Sequence, residues 1–239
     1  MEDYLENLLM RCITDCNLET GDFPGPVVTI SRQAGCSAQR IAIKLSKILT
    51  GYSYMSDRKK DAEWKWVDRG IFEGAVEEMI KDVKSGEIKY SESTIKTLRD
   101  VAKAFSSEAI YDIADEEEIN IFKGIICLLA CRGRTIIVGR SAGAILKEIP
   151  NKLNIRLEAP LGWRINRIMQ MQNMKQAAAE KYVKEIDEKR DLFIRKITGK
   201  PANNEDFDVI FNYSSLEDDE IIDAIVNILK NKKIISHFE

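Results

Sequence analysis

Apolar positions recur along this chain in two rhythms, short β-branched runs and stripes at helical spacing, and the two alternate. Val27, Val28 and Ile30 form the first run, the habit of a strand covered on both faces as in a parallel sheet. Ile41, Leu45, Ile48 and Leu49 then recur at helical spacing. Trp64, Trp66 and Val67 fit the end of a short strand, with Asp68 and Arg69 at its carboxyl edge. Thr135 to Gly139 and Leu153 to Ala159 are two further buried strands, the second running from Pro160 into a helix that carries Arg164 and Arg167 one turn apart. A long charged helix is expected from Lys175 to Lys200, pairing Asp187 with Arg190 and Asp191 with Arg195. Phe207 to Asn212 is the last strand, after which Ser214 or Ser215 should cap a closing helix containing Ile221 to Leu229.

Four clear strands and one weaker one, alternating with helices, predict an α/β fold with a parallel, doubly wound sheet. Residues 70 to 122 hold helical patterns without a strand, as an inserted lobe would. Glu116, Glu117 and Glu118 begin one of its helices and fit a helix start better than a metal site. That helix's apolar face, Ile119, Phe122, Ile126 and Leu129, should dock on the sheet. Residues 1–24 read as a separate helical arm, with Leu5, Leu8, Leu9, Cys12 and Ile13 on one side and the breaker GDFPGP behind it. The arm is a candidate homodimer contact, and 25–239 a single domain.

Composition narrows the classes of partner. The chain has 239 residues, 44% of them hydrophobic, enough for a sizeable interior. Lys and Arg total 36 against 39 Asp and Glu, so no global basic field draws the protein to nucleic acid or membrane, and anion binding must be local. No apolar run approaches a membrane span and the first residues are too acidic for a signal peptide, which makes a cytoplasmic location the expectation. Five cysteines and one histidine suit neither a disulfide framework nor a zinc site.

Candidate chemistry lies between the first strand and its helix. A strand that turns straight into a helix aims unpaired N–H groups and the positive end of the helix dipole at the loop between them, here the small and polar stretch around Gly35. Arg32, Arg40, Lys44 and Lys47 reinforce it, and Val27 to Leu49 contains no Asp or Glu. Laid on the phosphate loop GxxxxGK[ST], the sequence puts Arg32 and Ser37 on the two outer glycines, Ala38 on the lysine and Gln39 on the hydroxyl. A phosphate cradle and an ordinary strand-to-helix turn both fit. Cys36, at a helix amino terminus beside arginines, is where a thiol pKa can fall. Arg140 follows a buried strand directly, at an edge where a charge has little structural reason to sit. For Arg190, an ion pair with Asp187 accounts for the residue about as well as ligand contact does.

Taken in order, VVTISRQAGCSAQRIA, WVDRGIF, TIIVGRSAGAIL, LNIRLEAPLGWRINRI and EIDEKRDLFIRKITGK with FDVIFNYSSL resemble the cytidylate kinase-like family of nucleoside monophosphate kinases, over roughly Val27 to Leu229. The resemblance implies a P-loop NTPase-type three-layer sandwich with a five-stranded parallel sheet. It also implies a helical nucleoside-monophosphate-binding insertion near 69–122 and a helical lid near 163–200. By the same resemblance Gln33, Ala34, Gly35, Cys36, Ser37, Ala38, Gln39 and Arg40 would hold the phosphates of ATP, with Mg²⁺ bridging them and no protein metal ligand. Asp68 and Arg140 would bind the acceptor nucleotide, helped by Arg190 and Asp187, while Arg164 and Arg167 would bridge donor and transferred phosphate. The implied activity is ATP-dependent phosphoryl transfer to a nucleoside monophosphate or similar small phosphate acceptor. The alternative is a nucleotide-binding regulatory protein that keeps the kinase fold. Where cytidylate kinases carry an acidic residue after the arginine, this chain has Ser141.

Overall fold

The computed structural model describes residues 26–55, 63–68 and 133–235, with residue 70 and helical positions 119, 123, 126, 127, 129 and 130. The arm at 1–24 and nearly all of the expected insertion, with Arg69 and Phe122, lie outside the described residues. The chain divides into two compact units, Met1–Gly25 with Val67–Gly133, and Pro26–Trp66 with Arg134–Glu239. The second unit holds all of the sheet except Val67.

Five strands form that sheet: β1 (Val27–Arg32), β2 (Lys65–Val67), β3 (Thr135–Val138), β4 (Lys152–Glu158) and β5 (Val209–Asn212), in the order β2-β3-β1-β4-β5. The pairings of β1 with β3, β1 with β4 and β4 with β5 are parallel, with Val28 opposite Ile136 and Leu153. The helices are α1 (Ala38–Met55), α2 (Ala142–Ile145), α3 (Leu161–Gln172), α4 (Gln176–Thr198) and α5 (Asp218–Asn231). From β1 the chain leaves toward β2 at one edge, and from β3 it crosses back over β1 to β4. The carboxyl ends of β1 and β3 therefore flank the point where the winding reverses, the position at which open α/β sheets bind ligands.

Alternation along the strands decides what each face buries. Val28, Ile30, Ile136, Val138, Leu153, Ile155 and Leu157 meet Ile41, Leu45 and Leu49 of α1 and Ile221, Ile225 and Leu229 of α5 in one apolar core. Ile48, though in phase with that stripe, is 39% exposed. The opposite face is partly polar. Thr29 Oγ1 donates to Asn154 Oδ1 at 2.9 Å, and Asn154 Nδ2 donates to the carbonyl of Gly143 at 3.1 Å, so two buried polar side chains satisfy each other and anchor α2.

Two boundaries differ from the sequence reading. The closing helix begins at Asp218, where Glu217 and Glu220 form a capping box. Ser214 and Ser215 instead turn back onto Asn212, whose side-chain oxygen accepts from Ser214 N at 3.1 Å, because an Asx-type turn competes with a cap for the same hydroxyls. The last strand is shorter, starting at Val209. Asp208 just before it accepts from Asn154 N at 2.7 Å and from Lys232 Nζ at 3.2 Å. Burial by itself would raise the Asp208 pKa, but these donors outweigh it and hold the carboxyl below its usual range. A depressed folded pKa contributes stability above the unfolded value, about 3.9, that is lost as pH falls through the folded one. The stability gap between wild type and Asp208→Asn, measured by urea unfolding, should be constant near neutrality and shrink on acidification below about pH 4. A gap independent of pH would refute the assignment.

Candidate phosphate-binding site

The turn after β1 holds most of the candidate residues, and its first half is tied down. Gln33 extends the ladder, its N–H donating to Leu157 O at 3.0 Å while its side-chain oxygen accepts from Ala159 N at 3.0 Å. Ala34 is 3% exposed and packs in the seam between α3 and α4 with Ile165, Ile168, Ala179 and Val183. Its N–H donates to Asp187 Oδ1 at 2.7 Å. At Gly35 φ is +90°, and a Cβ there would lie 3.2 Å from Arg164 Cβ and 3.3 Å from Arg164 O. Only glycine combines that backbone conformation with so close an approach by α3. Cys36 N–H returns to Gln33 O at 3.2 Å, and α1 follows, so Ala38, Gln39 and Arg40 lie in its first turn.

Several amides of this turn are therefore committed within the protein. Those of Ala34, Cys36, Ala38 and Arg40 already have protein acceptors, the last three within the turn itself. What the fold brings to the turn is guanidinium. Arg164, 6% exposed, donates through Nε to Ala159 O at 2.9 Å, and through Nη1 to Ala34 O at 3.3 Å and Asp187 Oδ2 at 2.5 Å. Arg167 Nη2 donates to Ser37 Oγ at 3.1 Å, while its buried Nε has no hydrogen-bond acceptor. Arg190 Nη1 donates to Arg32 O at 3.0 Å and stands 3.9 Å from Asp187 Oδ1. Arg164, Arg167, Arg190 and Asp187 all act electrostatically on Cys36, three positive charges against one negative.

Cys36 corrects an expectation. Burial pushes its thiol up to about 11, more than the three arginines pull it down. Two pKa units leave roughly a hundredfold less thiolate at neutral pH. Peptide-resolved mass spectrometry should find Cys36 alkylated by iodoacetamide about a hundredfold more slowly in the native protein than in urea; equal rates would contradict the burial.

The other predicted residues fall in different places. Arg40, exposed in the first turn of α1, pairs with Asp218 at 2.7 Å. Arg140 lies at the end of β3 in a run of left-handed residues, with φ of 76° at Gly139, 60° at Arg140 and 51° at Ser141. Arg32 lies over Gly139 so closely that a Cβ there would fall 1.8 Å from its Nη1. Asp68 follows β2 and belongs to the other compact unit.

A sequence model of the cytidylate kinase-like family matches residues 27–215, from β1 through the turn after β5. The chain belongs to the cytidylate kinase-like family. Ala38 stands where a phosphate loop of the form GxxxxGK[ST] would carry its lysine. An uncharacterised protein from Eubacterium ventriosum has a similar fold, with a TM-score of 0.55 at 16% identity over 86% of this chain and 98% of that one. A shikimate kinase from Bacteroides thetaiotaomicron gives 0.43 at 14% identity over 86% of this chain and 96% of that one. A uronate isomerase from Corynebacterium glutamicum is 26% identical over 98 residues, 41% of this chain. The matched part spans about a fifth of that curated relative, 19% of its length.

Sequence reasoning missed Trp163, Tyr213 and Asp218. Arg167 Cζ lies 5.1 Å from the Trp163 ring centre and 5.2 Å from that of Tyr213, and the two rings meet edge to face at 5.9 Å. The available signal was Trp163 one turn before Arg167, at i and i+4 on one helix face. Tyr213 gave none, because only the β5 to α5 turn brings it there. Among the described residues, no group of three or more His, Cys, Asp or Glu is placed to hold a metal, and no helix is long and apolar enough to cross a membrane.

Proposed function

We propose that this protein binds the phosphates of a nucleotide at the turn after β1 and transfers a phosphoryl group from ATP to a nucleoside monophosphate or similar small phosphate acceptor. One observation carries the reading: Arg164, Arg167 and Arg190, from two helices, converge on residues 32–37 with one carboxylate among them. Phosphoryl transfer asks a protein mainly for positioning and charge neutralisation, which planar, permanently charged guanidinium groups provide. Arg167, whose Nη2 reaches Ser37 Oγ in the turn, is proposed to meet the donor phosphate. Arg164 and Asp187 hold the turn in place. Arg140, at the carboxyl end of β3, is proposed for the acceptor. Mg²⁺, when present, would be carried largely by the nucleotide's own oxygens and neutralise charge on them.

A second reading is favoured by the Asp187 carboxylate on Ala34 N, which a phosphate seeking that amide must displace. It is a nucleotide-binding regulatory protein without turnover. Purified protein mixed with ATP, Mg²⁺ and each nucleoside monophosphate in turn, with products separated by chromatography, decides between them. A diphosphate product that is lost in Arg140→Ala supports the kinase. Saturable ATP binding with no product in any mixture supports the regulatory reading, and absence of both overturns the two together.

A further inference from the structure

Arg167 has a long, flexible side chain, and something must aim it. Restricting its rotatable bonds costs rotamer entropy unless the surroundings fix them in advance. Here Trp163 and Tyr213 bound the guanidinium with two rings set at 84° to each other. The polar contacts fix both partners. Arg167 Nη2 donates to Ser37 Oγ at 3.1 Å, and Tyr213 Oη donates to Asp218 Oδ1 at 2.8 Å, which sets the plane of the ring that Arg167 lies against. The other Asp218 oxygen forms an ion pair with Arg40, in the first turn of α1, at 2.7 Å. Tyr213 is 4% exposed and Asp218 8%, which shields their hydrogen bond from competing water.

On the reading proposed above, we infer that Tyr213 is a positioning residue: its ring and its hydroxyl, braced by Asp218, set Arg167 over Ser37 so that a guanidinium supplies the charge for which the turn has no lysine. On this assignment the residue acts through Arg167, which lies against its ring. A tyrosine that merely filled the core would stabilise the fold without affecting phosphate affinity through Arg167.

Titration calorimetry of the full chain with Mg²⁺ and ATP separates the two roles. Tyr213→Phe keeps the ring and removes its hydroxyl anchor on Asp218, and should weaken binding three- to tenfold. Tyr213→Ala should weaken it about as much as Arg167→Ala, and the double variant Tyr213→Ala with Arg167→Ala should bind no worse than Arg167→Ala alone, because both remove one function. Should the alanine variants fail to fold, the same cycle is run with Tyr213→Phe and Arg167→Lys, again expecting losses that do not add. Additive losses, or wild-type affinity in Tyr213→Phe with a large loss in Arg167→Ala, overturn the inference and leave the nucleotide-binding reading standing. A wild-type chain that does not bind ATP overturns both.

Discussion

Replacing Arg164 with alanine is expected to destabilise the protein by about 3 kcal/mol, the lower end of the range for breaking a buried ion pair. Its side chain is 7% exposed and that of its partner Asp187 26%, so solvent screens the orphaned carboxylate in part. The loss is larger than a surface pair would give because the guanidinium also satisfies the carbonyls of Ala159 and Ala34. Three acceptors from three segments, the end of β4, the turn after β1 and α4, meet on one planar group. Lysine cannot replace it, since one ammonium does not reach all three in the geometry of the fork. Arg164→Lys should therefore recover only a minor part of the loss. Urea unfolding checks both variants through the midpoint, provided the slope is unchanged. A change within about 0.5 kcal/mol for Arg164→Ala, the level of an ordinary surface substitution, would show that the pair does not hold the turn.

Gly35→Ala attacks the same junction from the other side. An L-residue at φ +90° is strained by on the order of 1–3 kcal/mol, and the added methyl meets Arg164 Cβ, O and Cα at 3.2 to 3.4 Å. Two of those three atoms are backbone. The penalty should therefore persist when Arg164 is already alanine, since truncating the side chain removes none of the atoms the methyl meets. If Gly35→Ala became harmless in that background, the guanidinium rather than the α3 backbone would be setting the fit. For the folded fraction, movement of α3 away from the turn also carries Arg167 off Ser37, so weaker ATP binding is expected along with lower stability.

These two variants bear on how the turn after β1 is held. Arg164, Arg167 and Arg190 reach it from α3 and α4, while Ala34, Gln33 and Gly35 serve as docking points for the segments around it. The Asp187 carboxylate on Ala34 N places a protein anion on an amide of the turn, so on the proposed reading a phosphate must compete with it there.

The α/β order and most of the core were legible before any coordinates, because burial on a sheet and on a helix imposes periods of two and 3.6 on the chain itself. Ile30, Ile41, Leu45, Ile136, Leu153 and Ile155 are all fully buried or nearly so, as their spacing implied. The resemblance to a family whose order of segments is distinctive singled out Arg164, Arg167 and Arg190, and the fold brings all three to the turn after β1. The local competition between an Asx turn at Asn212 and a cap at Ser214 was not legible, since both use the same residue types. Nor was the state of Cys36: proximity to arginine can be read from spacing, but the desolvation that outweighs it needs the packed surroundings. The sequence by itself determined which segments form strands and helices and which charges this protein carries to one edge of its sheet. Only the tertiary structure decided that Arg164 is locked into a buried pair while Arg167 keeps an unused N–H, because two arginines one turn apart on a helix are alike until Asp187, Tyr213 and Trp163 surround them differently.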